Sequence, residues 1–454
     1  MRPLSLLLAT TALAACAVKN PGTPPDTKRF YYPTGIAWQS DSDGGGPGFI
    51  YVVSSDFDLR FNRGTVAAVD VAILDTIIDG TFTTLPDGGP VVVGGGRGAT
   101  PLHSEIPFIS SLATIDPFGG PLATFTMPSG GTRLFVAGRE SGVLQGIDAN
   151  GPSLTCAQPG VGNDCFTGSV LLANSQINQA RDAYRPLVTS DGLVYVSHIT
   201  PIDHPYGSNT NYTADLAIVS ATQIGDGGQA GFVQLGPEAS DGLAQVGRQL
   251  YIGGRAFSND PNTTPLRRLD LDEPGPTLVT TSLTVSANVI DGRAMAASSD
   301  GSRLYLVIRD PDGLLTLDMT PGADGVPSER VLNEVQLPPG ADEIAIIPRG
   351  PGRRDIVAVT CADDGSVALY DDDLEVVEKI VHGVGSQPFG VAAGVRAAGG
   401  GARLYVAAFG QGNVAVIDLP SLDDLTQAQV LLTIGPDENC LSDDLLARPP
   451  GCPQ

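Results

Sequence analysis

The sequence predicts an all-β fold, a seven-bladed β-propeller of four-stranded antiparallel blades. Three observations predict it: a hairpin written seven times between residues 50 and 420, a small-residue strand ahead of the clearest copies, and a further strand behind others. An internal period of this kind marks a repeat architecture. A closed ring of four-stranded sheets removes the open edges that an unclosed sheet exposes.

The hairpin comes first. Its leading strand reads Ile50-Tyr51-Val52, Leu134-Phe135-Val136, Val194-Tyr195-Val196, Leu250-Tyr251-Ile252, Leu304-Tyr305-Leu306, Ile356-Val357-Ala358 and Leu404-Tyr405-Val406. Six of these seven central positions are aromatic, and six of the seven closing strands end in Asp: Asp70, Asp148, Asp270, Asp318, Asp371 and Asp418, with Ser220 in the remaining copy. From the central position to the strand end is 13 residues in three copies and 14, 19, 19 and 25 in the others, so a tight hairpin is the base form and the rest carry insertions. The strand-end Asp residues are expected to accept backbone N–H bonds in the following turn.

The preceding strand is clearest at Pro33–Trp38 and Pro388–Ala393, with relatives at Arg293–Ala297 and Glu343–Ile347. Small residues suit strands that converge on a crowded axis. The following strand is placed at Thr76–Asp79, Glu329–Leu337, Glu375–Val381 and Gln429–Ile434. Helix-like stretches are confined to Gln176–Tyr184 and Leu422–Gln427, both short enough to be turns. These copies resemble the YVTN-type repeats of bacterial propellers, whose pattern is P-x-G-V-A, then R-L-Y-V-A, then V-x-V-I-D; residues 387–418 match it best. The resemblance covers most of the chain and implies blades, without implying a chemistry.

At the N-terminus, Met1-Arg2 precedes an apolar run from Leu4 to Ala15 and then Cys16. A run of twelve residues is too short for a bilayer span, which takes about 20, and the pattern is that of a secretory signal over residues 1–15. Leu13-Ala14-Ala15-Cys16 resembles a bacterial lipobox. The resemblance implies cleavage before Cys16, attachment of fatty acyl (palmitate-type) chains there, and a membrane anchor; several chains hold stably where one binds marginally. Ala17, with no Asp at that second position, points to the outer membrane as the location within the cell envelope. Residues 16–28 then read as a flexible Pro-rich tether, 29–436 as the propeller and 437–454 as a tail.

The chain carries 50 Asp and Glu against 26 Lys and Arg. That field repels phosphate backbones, and no basic cluster with interleaved aromatics offsets it, so nucleic acid is excluded as a partner. Six cysteines leave five once Cys16 is acylated. Cys156 with Cys165 and Cys440 with Cys452 each close a short loop and are expected as disulfides in an oxidising compartment, while Cys361 follows a strand and reads as a buried free thiol.

No residue set specifies a catalytic mechanism, a metal site or a cofactor. The Gly-rich run Gly94–Gly98 lacks the Lys-Ser/Thr of a phosphate loop, and acidic turns such as Asp310-Pro311-Asp312-Gly313 lack the downstream Glu of a calcium loop. The best candidate binding surface is the excursion Thr200–Ala214, with His198, Asp203, His204, Tyr206, Asn209 and Asn211. Two functions follow as expectations. The first is a lipid-anchored, non-catalytic envelope module for a protein, peptide or glycan. The second is a periplasmic propeller enzyme, either a metal-dependent lactonase-like hydrolase or an oxidoreductase, since such enzymes share the fold.

Overall fold

A computed structural model of the protein describes residues 23–435 apart from 41–46, 80–100, 105–106, 159–160, 174–181, 201, 204–211, 214, 225–229, 236–238, 256–265, 272–276, 280–290, 324 and 397–399. Seven antiparallel sheets follow one another in sequence order and close into a ring. Within each blade the chain runs outward from the axis. Blade 7 illustrates it: Pro388–Val395 lies innermost, then Ala402–Ala408, Asn413–Leu419 and Gln429–Ile434.

The repeated hairpin is the middle pair of strands in every blade. Tyr405 faces Val416 across the ladder and Tyr305 faces Thr316, in the register that the 13-residue spacing requires. Tyr51, Phe135, Tyr195, Tyr251, Tyr305, Val357 and Tyr405 are all buried, as are the apolar residues flanking them. A strand with both faces buried reads as a continuous apolar run, and here each face packs on a neighbouring blade. Three of the strand-end Asp residues accept the expected turn N–H, whereas Asp148 accepts from the Arg133 side chain and Asp418 is paired with Arg396 and Arg403. Asp70 accepts from Ala72 N at 2.8 Å, Asp318 from Thr320 N at 3.0 Å and Asp371 from Asp373 N at 2.8 Å.

Blades are tied to one another by a recurring Arg/Tyr-to-acid contact near the face at which the second strands begin. Arg303 and Tyr305 of blade 5 both donate to Asp372 of blade 6, at 2.7 and 3.0 Å. Tyr251 and Arg268 of blade 4 meet Glu329 of blade 5, the tyrosine at 2.9 Å. Where the acid is missing a carbonyl substitutes, as for Tyr51 on Gly151 of blade 2 at 3.1 Å. Buried charges of this kind are tolerated only when paired.

Blade 1 departs from the expected layout. Thr76–Asp79 is not its outer strand; Val71–Ile78 is an α-helix capped by Asp70, and the outer strand is Ile109–Ile115. The β-branched run suggested a strand, but the Asp70 cap and the burial of Val71, Leu74 and Ile77 on one stripe favour the helix. Two features of this insertion reach blade 7. Asp75 on the helix pairs with buried Arg403, and Leu102–Ser104 runs parallel to Gln429–Ile434 as a fifth strand, with His103 Nδ1 2.8 Å from Thr433 Oγ1. The ring is therefore closed by chain from blade 1 laid on blade 7, besides packing of Phe30 between them.

Blade 2 carries its outer edge in two pieces, Ser153–Cys156 and Val170–Leu171, bracketing the Cys156–Cys165 disulfide. Tyr184, at the end of the helix-like stretch, lies in the strand Ala183–Val188, and Leu425–Gln427 forms one 3-10 turn. Cys361 is a buried free thiol, its pKa pushed up to about 12 by desolvation. Cys16, Cys440 and Cys452 lie outside the described residues.

Removing Asp372 leaves the buried Arg303 guanidinium without its partner, whereas removing Asp75 leaves Arg403 with Asp418 at 3.6 Å. Asp372→Ala should cost about 3–5 kcal/mol in urea denaturation, and Asp75→Ala less than Asp372→Ala. Asp423→Ala, which removes one of the two carboxylates on the exposed Arg353, should cost under about 0.5 kcal/mol.

Candidate functional site

The axis is where the fold concentrates unlike residues. Every innermost strand begins at the same face, and its first three or four residues form the mouth of the axial channel. Blades 7, 1 and 2 contribute Pro388-Phe389-Gly390, Pro33-Thr34-Gly35 and Gly119-Gly120-Pro121. Blades 3 to 6 contribute Tyr184-Arg185, Asp241, Asp291 with Arg293, and Asp342-Glu343. One side of the mouth is thus built from small and aromatic residues and the other from charges.

The charged side is an ion network crossing the channel. Arg185 Nη1 lies 2.9 and 2.7 Å from the two carboxylate oxygens of Glu343, and blades 3 and 6 stand nearly opposite in a seven-membered ring. Arg185 also lies 3.5 Å from Asp241, which lies 3.4 Å from Arg293, and Arg293 lies 3.0 Å from Asp291. Arg309 reaches Asp342 at 3.5 Å and Asp363 at 3.4 Å. Arg185 and Glu343 are only 11% and 12% exposed, so the pair is largely desolvated. Glu343 is further oriented by its neighbours, with Ile344 N donating to its carboxylate at 3.1 Å.

Burial acts unequally on these carboxyls. Desolvation raises Asp342 to about 7 and Asp241 to about 6 against the opposing pull of Arg293 on both, Arg185 on Asp241 and Arg309 on Asp342. Behind the ion network lies a cavity of about 310 Å³ to which all seven innermost strands contribute, including Ile36, Leu122, Leu187, Leu243, Met295, Ile344 and Val391. The surface it presents is slightly more polar than apolar, and Arg185 and Glu343 are the charged groups among its lining residues.

The aromatic side is a shelf. Phe409 packs on Tyr32, Phe57 and Phe389 at centroid distances of 5.0, 5.4 and 5.0 Å, and Phe57 meets Phe118 edge-on at 5.4 Å. Phe57 is 52% exposed and the other four rings are half-buried. Asp56 beside it accepts from Phe61 N at 3.2 Å, and desolvation lifts its carboxyl to about 7.

The excursion expected to bind lies on this same face. Ile202–Asp203 pairs with Tyr212–Thr213 as a short antiparallel ladder above blade 3. His198 is buried beneath it; its Nδ1 donates to the Asp215 carbonyl at 2.9 Å, and burial lowers its pKa to about 4, so the ring is neutral. The Asp203 backbone is placed in that ladder, while His204, Tyr206, Asn209 and Asn211 lie outside the described residues. Among the described residues no three His, Cys, Asp or Glu side chains are grouped to hold a metal ion. The charged mouth escaped sequence reading because its members are spread over four blades, one or two per blade. The signal was present as Arg or acid near the start of each of those four innermost strands, where the other blades have Pro, Gly and aromatics.

No protein-family model and no curated protein sequence matches the chain. Solved structures do. Hydrazine synthase from Kuenenia stuttgartiensis is similar at TM-score 0.53 and 11% identity, over 88% of this chain and 98% of that one. A Bacteroides fragilis protein proposed to be a 6-phosphogluconolactonase aligns at TM-score 0.47 and 12% identity, over 79% and 86%. Apo AztD from Citrobacter koseri aligns at 0.41 and 11%, over 88% and 87%. At these identities the likeness is one of fold.

Asp342 and Asp241 give the mouth a pH signature. Their folded pKa values lie above those of the unfolded chain, so folding takes up protons and stability falls as pH rises between about 4 and 7. Thermal melts should show a lower midpoint at pH 8 than at pH 5.5, and Asp342→Asn should flatten that difference by raising the pH 8 value.

Proposed function

We propose that this protein is a lipid-anchored module of the bacterial cell envelope, of YVTN-repeat type, whose axial mouth binds a protein, peptide or glycan partner without turning it over. The observation that carries the reading is the mouth itself. A part-exposed aromatic shelf adjoins an ordered guanidinium and carboxylate network over the axial cavity. Aromatic and Arg side chains are the groups that supply most of the energy at recognition sites, and a rigid ring holds them in place without further ordering cost. The lipobox at Cys16 supports anchoring, with the outer membrane as the location.

The enzyme alternative has the fold behind it and, among the described residues, no arrangement at the mouth of its own. Asp241, Asp342 and Glu343 are engaged by Arg185, Arg293 and Arg309 rather than gathered about an open centre.

Affinity capture from a detergent-solubilised envelope is the test. Wild-type protein should recover a reproducible partner, and Phe389→Ala/Phe409→Ala or Glu343→Gln should weaken that recovery by about 10-fold or more while leaving the circular dichroism unchanged. A monomer that recovers nothing, or a partner retained equally by all variants, contradicts the assignment of the mouth. Separately, Cys16→Ser should release the chain from the membrane fraction.

A further inference from the structure

The segment after Cys16 does not hang free of the ring at its far end. Thr23 O accepts a hydrogen bond from Asn62 N at 3.0 Å, and Tyr31 packs edge-on against Phe61 at 4.6 Å. Both partners belong to the loop 55–63, which joins the second and third strands of blade 1 at the mouth face. At about 3.5 Å per residue, the stretch from Cys16 to Thr23 reaches no more than about 25 Å. If Cys16 sits in a bilayer, this loop is held within that distance of it.

The same loop carries exposed apolar side chains. Phe57 is 52% and Leu59 51% exposed, and Leu59 stands at φ 53, in the left-handed region that a branched side chain rarely adopts. Arg60 lies over the Tyr31 ring at 5.9 Å. Over residues 23–32 and 55–63 there are four basic residues, Lys28, Arg29, Arg60 and Arg63, against three acidic ones, Asp26, Asp56 and Asp58, in a chain with 50 acidic and 26 basic. These stretches carry a slight basic excess in an acidic chain. Apolar tips ringed by Arg, Lys and Tyr suit the boundary between headgroups and acyl chains.

We propose that the loop 55–63 is a second membrane contact, with Phe57 and Leu59 inserted at the headgroup boundary of a phospholipid bilayer so that the mouth face is turned toward the membrane. The inference rests on the lipid-anchor reading and deepens it. One lipid tether fixes distance, and an inserted loop beside it fixes orientation. The partner of the mouth then lies at the membrane surface.

The test places an NBD fluorophore on Leu59→Cys or, as control, on Leu374→Cys in the acylated full chain, bound to phosphatidylethanolamine/phosphatidylglycerol vesicles. Leu374 is 62% exposed and lies between the third and fourth strands of blade 6, at the opposite face. The proposal predicts a blue shift at position 59 and at least fivefold weaker quenching by aqueous iodide than at 374, with Phe57→Asp reducing that protection. Equal quenching at both positions on a chain that floats with the vesicles overturns the docking and leaves the anchor standing. Should mass spectrometry of the N-terminal peptide find no acyl group, the anchor reading fails, and the same probes are read with vesicles added to the unacylated chain. Protection at 59 alone would then retain the loop contact, and its absence would overturn that too.

Discussion

Backbone meets backbone at the axis of this ring, and that crowding sets most of what surrounds it. A β-carbon added to Gly120 would fall 2.5 Å from the Tyr184 carbonyl oxygen, one on Gly35 would fall 2.6 Å from the Gly120 carbonyl, and one on Gly242 2.4 Å from that of Arg293. Real side chains do not approach so closely, so these positions of the innermost strands admit only glycine. Thr34 uses the proximity instead, donating to Gly119 O at 2.6 Å. With the strand starts drawn this tight, the few large side chains at the mouth have nowhere to go but across the opening, and Arg185 and Glu343 meet there from opposite blades.

The same convergence explains the division of labour between the two faces. At the face where the second strands begin, blades are joined by Tyr and Arg reaching acids on the next blade, as Arg303 and Tyr305 reach Asp372. At the mouth face the charges turn inward and leave an aromatic shelf beside them. Closure uses neither device alone. Asp75 provides the acid for Arg403 from a helix, and Leu102–Ser104 covers the outer edge of blade 7 with a parallel strand, which blunts an edge that another chain would otherwise extend.

Much of this was legible in the residues. The buried central aromatics and strand-end Asp residues located every blade's middle hairpin, and Gln429–Ile434 is the outer strand at the boundaries expected. Blade 1 was misread because Val71–Ile78 is as β-branched as a strand, and only the Asp70 cap and one-sided burial distinguish it. Its true outer strand comes after the insertion, too far along the chain for a short-period pattern to connect. The mouth was less legible still. Arg185, Asp241, Arg293 and Glu343 are isolated letters in sequence and become one network only when seven strands share an axis. His198 was grouped with the candidate binding loop by its neighbours in sequence, whereas its position at a buried strand end gives it to the core.

The claim that backbone crowding at the axis holds the ring together is tested most directly by comparing two glycine substitutions in denaturant unfolding. Gly120→Ala forces a β-carbon onto the Tyr184 carbonyl, whereas Gly231→Ala, on an outer strand, meets nothing closer than 3.9 Å. The account predicts a loss of more than about 2 kcal/mol for the first and less than about 0.5 kcal/mol for the second. Equal stabilities for the two variants would contradict it.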